Sequence, residues 1–300
     1  MNAEERLPFI IHHAYKGKVV LMIQRNRPLW AGIVLLLPLL AASGFKDADN
    51  KPVISTPDEI KAEFADVVCQ NGKRQAAVKA LFEKMGASVN DITVEKFGSV
   101  ENLVIRKPGA TPETIVIGAH YDKVPAGCGA IDNWSGIVAL AHVYRSLRNL
   151  KTQKTLLFVA FGKEEEGLVG SKAMVKAMSK EQAAGVCAMV NMDSFGMGAT
   201  QAAANMSSRK LMELAATLTK RMHIPYNNAP INGGDADSSS FIDKKIPAVT
   251  LHGLAGDWTK VLHTANDQPA KVDTVGVYLG YRLALGMVIE INNVPCDQWR

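Results

Sequence analysis

The alternation of strand-like and helix-like segments is the feature that most constrains the fold. Several strand-like runs, such as TIVIGAH at 114–120 and TLLFVAF at 155–161, are apolar at nearly every position. Strands of this composition are covered on both faces, as in a parallel sheet between helices. We therefore predict an α/β three-layer sandwich with a mixed, largely parallel central sheet and helices on both faces. The strand-like runs are 92–97, 102–107, 114–120, 155–161, 186–192 and 248–253; the helix-like runs are 134–148, 171–183, 207–222 and 273–293.

Two further helices precede the first strand. Thr56 to Glu59 combine a capping box with a proline at the first helical position, and predict a helix with apolar residues from Ile60 to Val68 on one face. A second helix over 74–85 ends at Gly86. Since no linker rich in Gly, Pro or Ser interrupts the chain, we expect residues 45–300 to form a single domain.

The amino-terminal segment, residues 1–44, is typical of an export leader. Residues 29–45 form one apolar run behind Arg25 and Arg27, and small residues close the run. This arrangement predicts a secretory signal peptide and a periplasmic or extracellular protein. An uncleaved anchor at 29–45 is the alternative, and would attach the protein to a membrane. A start at Met22 would give a leader of more ordinary length.

The net charge argues against a nucleic-acid partner. The chain of 300 residues has a formal charge of +5, but residues 1–43 hold five basic and two acidic side chains. The basic excess therefore lies mainly in the leader, and no basic patch is indicated in the remaining chain.

The four cysteines form no CxxC motif, which disfavours a zinc knuckle or a thioredoxin-like site. An exported protein can hold disulfides, and four cysteines allow three complete pairings. We take Cys69 with Cys128 as the candidate bridge. Cys187 lies in the apolar run VCAMV and is expected to be a buried thiol.

Metal-binding side chains follow the strand-like runs. TIVIGAH ends at His120, two residues before Asp122; TLLFVAF precedes the glutamates 164–166; VCAMVNM precedes Asp193; and AVTLHG leads through a short loop to His263. Ligands of open α/β sheets bind at the carboxyl ends of the strands, so these side chains should converge.

Asp132, in the segment GAIDNWSG, adds a further carboxylate just before a helix. Taken alone, Asp132 could be a helix N-cap, each histidine could be structural, and the glutamates could be a solvated surface. Two histidines together with several carboxylates are a donor set that suits zinc or a similar divalent ion.

The ordered motifs HYD (120–122), GAIDNWSG (129–136), EEEGLVGS (164–171), NMD (191–193) and HTAND (263–267) resemble the secreted di-zinc aminopeptidase family. Its relatives include glutamate carboxypeptidases and animal-type glutaminyl cyclases. The likeness spans residues 115–267, within a compatible frame from about 57 to 293. It implies the zinc exopeptidase fold, a catalytic domain over residues 45–300, and peptide substrates.

The resemblance also implies a role for each site residue. His120 and Asp193 would bind one zinc ion, Glu165 and His263 the second, and Asp132 would bridge the two. Asp122 would accept the second ring N–H of His120 and so fix its tautomer. Two Zn²⁺ per chain are thus expected.

Glu164 would be the general base of this mechanism. It would take a proton from a metal-bridged water and pass it to the leaving amine. The family has a pair of glutamates, one variable residue and then Gly-Leu, which assigns the pair to Glu164 and Glu165 here. In the alternative register, Glu165 is the base and Glu166 the ligand.

Some positions depart from the family pattern or have other interpretations. Asp237 is followed by Ser238 where the family often has a histidine, which puts pocket details in doubt. Trp134 is larger than the small residue that commonly follows Asp-Asn. His252, close to the crevice, is a candidate for substrate contact.

The favoured function is a secreted aminopeptidase that hydrolyses the N-terminal peptide bond. A glutaminyl cyclase, or a carboxypeptidase or dipeptidase on the same fold, is the alternative within the enzymes. An inactive binding module is the alternative outside them, although no expected ligand or base is missing from the sequence.

Overall fold

An eight-stranded mixed sheet forms the centre of the protein. The computed structural model describes residues 51–300, so the predicted leader and the candidate start at Met22 lie outside the described residues. The strand order across the sheet is β1-β2-β4-β3-β5-β8-β6-β7. The strands are β1 (Ile92–Phe97), β2 (Val100–Lys107), β3 (Thr114–His120), β4 (Thr155–Phe161), β5 (Val186–Met192), β6 (Thr200–Ala203), β7 (Tyr226–Ala229) and β8 (Ala248–His252).

The four central strands β4, β3, β5 and β8 run parallel to one another. Antiparallel pairs flank them: β2 pairs with β4 and β1 on one side, and β6 pairs with β8 on the other. The carboxyl ends of all four central strands therefore lie at one edge of the sheet.

Helices cover both faces of this sheet, as the sequence predicts. Along β3, Ile115 and Ile117 belong to the apolar cluster that includes helices α3 (Ser135–Leu147) and α8 (Thr274–Asn293). Val116 instead belongs to a second cluster, with Met174 of α4 (Val169–Ala177) and Phe241 of α7 (Asp237–Asp243). This alternation requires helices on both faces and confirms the predicted fold class. The helices are α1 (Pro57–Ala62), α2 (Asn71–Lys84), α3 (Ser135–Leu147), α4 (Val169–Ala177), α5 (Lys180–Gly185), α6 (Arg209–Met222), α7 (Asp237–Asp243) and α8 (Thr274–Asn293).

Helix α8 is the one helix among the described residues that is long and apolar enough for a membrane span, with a mean hydropathy of 1.3. Of its most apolar window, 61% is buried inside the protein, where α8 packs against α3, α6 and β5. Those contacts are the ones that a core helix makes.

The structure differs from the sequence prediction in several elements. The single helix expected over 171–183 is two helices, because Ser179 and Gln182 form a capping box that starts α5 after an extended Met178. Helix α1 has the predicted Thr56 capping box but ends at Ala62, and the chain then turns. Strands β6 and β7 and helix α7 are short, and the sequence did not predict them.

Two disulfides join distant parts of the chain. Cys69 is bonded to Cys128, which confirms the candidate bridge. The expectation of a free Cys187 thiol was wrong, because Cys187 is bonded to Cys296. Cys187 is fully buried in β5 as predicted, but the carboxyl-terminal turn Cys296–Trp299 packs against that strand and brings the second thiol to it.

Candidate metal centre

A cavity of about 310 Å³ opens at the carboxyl ends of the central strands. Six of the seven predicted site residues line it, and the seventh, Asp122, lies behind them. The structure thus brings together side chains that are up to 143 positions apart in the sequence. The six are His120 at the end of β3, Asp132 before α3, Glu164 and Glu165 after β4, Asp193 after β5, and His263 in the loop after β8.

Asp132 lies at the centre of the group, and its two carboxylate oxygens face opposite sides. Oδ1 lies 3.1 Å from Nε2 of His120, which is itself 3.6 Å from Oδ1 of Asp193. Oδ2 lies 3.1 Å from Nε2 of His263, which is 3.0 Å from Oε2 of Glu165. Each side of Asp132 therefore has one histidine and one further carboxylate.

The chain around Asp132 is held in place by Asn133 and Asp267. Asn133 donates from its amide to the carbonyl of Met192 (3.0 Å) and accepts the N–H of Gly136 (2.9 Å) and of Ser194 (3.1 Å). The carboxylate of Asp267 accepts the backbone N–H of Asp132 at 3.1 Å. These bonds fix the Asp132 segment relative to the Asp193 loop and the His263 loop.

Close packing explains why residue 136 is a glycine. A Cβ at this position would lie 2.3 Å from Oδ1 of Asn133 and 2.4 Å from the carbonyl oxygen of Met192. Only glycine permits the start of α3 to approach β5 this closely.

Asp122 supports the site from behind. Its carboxylate accepts the backbone N–H groups of Glu164 (3.0 Å) and Glu165 (3.2 Å). Nδ1 of His120 lies 3.2 Å from the backbone carbonyl oxygen of Asp122 and 3.7 Å from its carboxylate oxygen Oδ1. The backbone carbonyl is thus the nearer acceptor for the second ring N–H, and the carboxylate orients the two glutamates.

The three consecutive glutamates have different surroundings. Glu164 and Glu165 face the cavity, whereas the Glu166 side chain is 61% exposed and pairs with Lys163 at 3.1 Å. The position of Glu166 favours the register in which Glu164 and Glu165 form the functional pair.

The carboxylates around the cavity raise the pKa of both histidine rings, His120 and His263. Burial opposes protonation of His120, but the nearby carboxylates of Glu164 and Asp193 outweigh it and raise its pKa well above the usual range. Hydrogen bonds to Asp132 and Glu165 raise the pKa of His263 to about 10. Burial raises the pKa of Glu164, and also that of Glu165. The site is therefore built to hold positive charge among its carboxylates.

Three buried polar groups near the cavity lie outside the seven residues predicted as metal ligands, base or support. Asp267 was visible in the HTAND motif, but only the structure shows its contact with Asp132. Asp237 is fully buried with no hydrogen-bond partner for either oxygen, and burial raises its pKa to about 7. His252, which the sequence suggested for substrate contact, lines the cavity; its Nδ1 accepts the N–H of Leu254, and its Nε2 has no partner.

The donor set fits a divalent metal ion. One ligand atom each from His120, Asp132 and Glu165 lies within 4.8 Å of the others, and the same is true of His120, Glu164 and Asp193. Oε1 of Glu165 is buried and has no hydrogen-bond partner. A buried carboxylate oxygen without a hydrogen-bond partner in such a cluster is suited to coordinate a cation.

The family model described as peptidase family M28 matches residues 102–278, which include every residue of the site. The chain belongs to peptidase family M28. This assignment confirms the resemblance that the ordered motifs indicated.

Individual members of the M28 group are similar to this chain over part of their length. Aminopeptidase YwaD of Bacillus subtilis is 31% identical over 123 residues, which are 41% of this chain and 25% of the relative. The chain spans about a quarter to a half of the length of the curated relatives it matches.

Solved structures share the fold. An aminopeptidase from Aneurinibacillus sp. strain AM-1 is 26% identical, with a TM-score of 0.57 over 63% of this chain and 47% of the other. A glutaminyl cyclase from an Acidobacteriales bacterium is 17% identical, with a TM-score of 0.69 over 82% of this chain and 97% of the other. At 17% identity, the second match shows the fold alone.

Proposed function

We propose that this M28 chain is a zinc-dependent exopeptidase, most specifically an aminopeptidase that removes the N-terminal residue of peptides with two zinc ions per chain. The observation that carries the proposal is the two-sided arrangement at Asp132, which offers one histidine and one further carboxylate on each side. Family membership and the aminopeptidase names among the relatives support the same class of reaction.

His120 and Asp193 would hold one zinc ion, Glu165 and His263 the other, and Asp132 would bridge them. Bound zinc would supply Lewis-acid polarisation of the scissile carbonyl and lower the pKa of a water. Asp122 contributes by fixing the backbone of Glu164 and Glu165, so that both side chains face the cavity.

Glu164 would act as the general base. It faces the cavity, and its Oε2 lies 3.9 Å from Nε2 of His120. Burial raises the pKa of its carboxyl, which suits a group that accepts a proton and then returns it to the leaving amine.

The side chain of the N-terminal residue would lie against an apolar wall of the cavity. Ile231, Leu254, Trp258 and Leu262 line this wall, and Leu254 and Leu262 belong to a small apolar cluster with Ile131. Burial of a leucine-sized side chain there would contribute about 1.5–3 kcal/mol to binding. We therefore expect peptides with apolar N-terminal residues to be preferred. Because the basic excess of the sequence lies mainly in residues 1–43, we expect no nucleic-acid partner.

Export of the protein is part of this proposal. The two disulfides within residues 51–300 favour an oxidising compartment, either the periplasm or the outside of the cell. Attachment to a membrane would depend on an uncleaved segment at 29–45.

A glutaminyl cyclase is the second candidate. It stays a candidate because animal-type glutaminyl cyclases are among the relatives of the family that the motifs at the cavity resemble. Such an enzyme would release ammonia from an N-terminal glutamine and would leave other peptides unchanged.

The deciding experiment is mass spectrometry of a peptide pool incubated with the purified full-length protein, with and without a chelator. The pool holds peptides that begin with Leu, Ala, Lys or Gln, and the Glu164→Gln variant is the control. Chelator-sensitive loss of single N-terminal residues, fastest for Leu, is expected. Loss of ammonia from the Gln peptide alone would establish the cyclase, and trimming from the other end a carboxypeptidase. An unchanged pool with zinc bound would argue for a binding module.

A further inference from the structure

Arg74 of α2 is the largest fully buried side chain among the described residues, and the metal centre as described so far does not use it. A buried guanidinium is rare because the loss of its hydration must be compensated. The guanidinium contacts the backbone of the loop between His120 and Asp132, and these contacts compensate for the lost hydration.

All four hydrogen bonds of Arg74 go to backbone carbonyls. Nε donates to Tyr121, Nη1 donates to Val68 (3.2 Å) and to Cys128 (3.0 Å), and Nη2 donates to Gly129 (3.1 Å). The guanidinium carbon also lies 5.3 Å from the ring centre of Trp134. One planar group thereby connects the chain before α2 with both ends of the 121–129 loop.

This loop carries a predicted metal ligand on each side. Tyr121 directly follows His120, and Gly129 lies three residues before Asp132. No helix or strand is present between residues 121 and 129, so regular backbone hydrogen bonds do not fix the separation of the two ligands. The guanidinium of Arg74 is a planar fork of N–H donors with a rigid geometry. This fork constrains the separation of the two ligands.

Two further features connect the same parts of the molecule. The Cys69–Cys128 disulfide joins a residue next to Val68 to a residue whose carbonyl Arg74 binds. The N–H of Cys128 donates to the carbonyl of Asp267 (2.7 Å), and the Asp267 carboxylate accepts the N–H of Ile131 (2.7 Å). A change at Arg74 would thus reach the Asp132 segment through short, defined contacts.

Burial lowers the pKa of Arg74 to about 10, but nearby carboxylates oppose this decrease and the side chain keeps its charge at neutral pH. Asp132, Asp122, Asp267 and Glu165 are the carboxylates that interact with it through space. A fixed cation behind these groups reduces the repulsion among carboxylates that must gather around one cavity.

We infer that Arg74 is a positioning residue for the metal centre, which holds His120 and Asp132 at the separation needed to bind one ion together. The part of this inference that concerns zinc rests on the proposed function. Arg74 itself touches neither substrate nor metal.

Zinc affinity is the first test, measured on the full chain by competition with a chromophoric chelator well below the melting temperature. The variants are Arg74→Met, which removes the charge and the fork, and Arg74→Lys, which keeps the charge alone. Arg145→Met is the matched control, because Arg145 is a partly buried arginine that contacts Ser55 and Glu59 instead.

We expect zinc affinity to fall on the order of 10- to 100-fold in Arg74→Met, with partial recovery in Arg74→Lys and no change in Arg145→Met. Wild-type affinity in both folded Arg74 variants would overturn the inference. An equal loss in Arg145→Met would also overturn it, since the effect would then follow general destabilisation.

Hydrogen exchange in the chelator-treated protein is the second test, and it does not depend on zinc. Arg74→Lys should increase exchange of the amides of Cys128, Ile131 and Asp132 at least tenfold, with α6 unchanged. Arg74→Lys serves if Arg74→Met fails to fold. If the wild-type protein binds no zinc, the proposed function fails, but the exchange result still decides whether Arg74 holds the loop. Unchanged protection of these amides in Arg74→Lys would overturn that role.

Discussion

At the scale of single residues, surroundings decide function more than residue type does. The glutamates at 164, 165 and 166 are chemically identical neighbours. Glu164 is half-buried at the cavity, Glu165 contacts His263 at 3.0 Å, and Glu166 pairs with Lys163 at the surface. The turn after β4, held by the Asp122 carboxylate, thus gives three consecutive glutamates different surroundings, which suit the base proposed at 164 and the ligand proposed at 165.

Glu164→Gln should retain zinc and lose about 10²- to 10⁴-fold in turnover, because an amide cannot accept the proton from water. Glu166→Gln is the matched control and should keep both properties. The measurements are zinc content by mass spectrometry and the initial rate on a leucyl peptide. Near-wild-type turnover in fully loaded Glu164→Gln would remove this residue from the mechanism.

His120→Ala should reduce zinc content by at least one ion per chain, because the ring faces both Asp132 and Asp193. His223→Ala, a change at the end of α6 outside the cavity lining, should leave zinc content unchanged. Zinc content after dialysis checks the prediction, and full zinc content in His120→Ala would contradict the assigned ligand.

At the scale of elements, α3 joins the metal centre to the amino-terminal part of the described chain. Its first turn follows Asp132, and its later residues His142 and Arg145 bind Ser55. Tyr281 of α8 accepts the N–H of Ser55 at 2.9 Å. This polar network attaches the segment before α1 to the helix layer.

The network predicts a sensitivity to acid. Burial lowers the pKa of His142 to about 4, below its value of about 6.5 in an unfolded chain. The unfolded state therefore takes up the proton first. The contribution of His142 to the free energy of unfolding is fully present above pH 6.5. It is lost as the pH decreases from 6.5 to 4, and the loss amounts to roughly 3 kcal/mol at most. His142→Gln should show a smaller loss of stability than wild type between pH 7 and pH 4.5, measured by urea unfolding; equal losses would refute the prediction.

At the scale of the whole molecule, the two disulfides have different neighbours. Cys69–Cys128 spans 59 positions and lies beside the Arg74 contacts, whereas Cys187–Cys296 spans 109 positions and joins β5 to the carboxyl terminus. Bridges across loops of this length stabilise a fold by about 4 kcal/mol in the chain-entropy description.

Replacement of either pair by serine should therefore lower the free energy of unfolding by about 2–4 kcal/mol. Only the Cys69→Ser, Cys128→Ser double variant should also bind zinc more weakly, because its bridge holds the loop between His120 and Asp132. Urea unfolding and chelator competition measure the two effects. Equal zinc affinity in the two double variants would contradict the distinction.

Local patterns in the sequence were sufficient for the central strands and for six side chains that line the cavity. Strands β3, β4 and β5 begin and end where the apolar runs predict, because a strand buried on both faces needs an uninterrupted apolar composition. The largely exposed edge strand β1 also has its predicted bounds. Four of the candidate donors end those runs or follow them within four residues, so the parallel arrangement brings them to one edge; they are His120, Glu164, Glu165 and Asp193. The leader and the domain boundary at residue 44 stay predictions.

Contacts between distant positions required the tertiary structure. Nothing near Arg74 in the sequence indicates that it binds Gly129, 55 positions away, and nothing near Asp267 indicates that it holds Ile131, 136 positions away. The Cys187–Cys296 bond and the pairing of the short strands β6 and β7 also depend on contacts between distant positions. Composition and periodicity depend on the immediate surroundings of a segment, so the sequence determined the central strands, the helix layers and the candidate metal-binding side chains. Which buried charge, carbonyl or thiol meets which partner depends on the packing of those elements, and only the folded structure decided it.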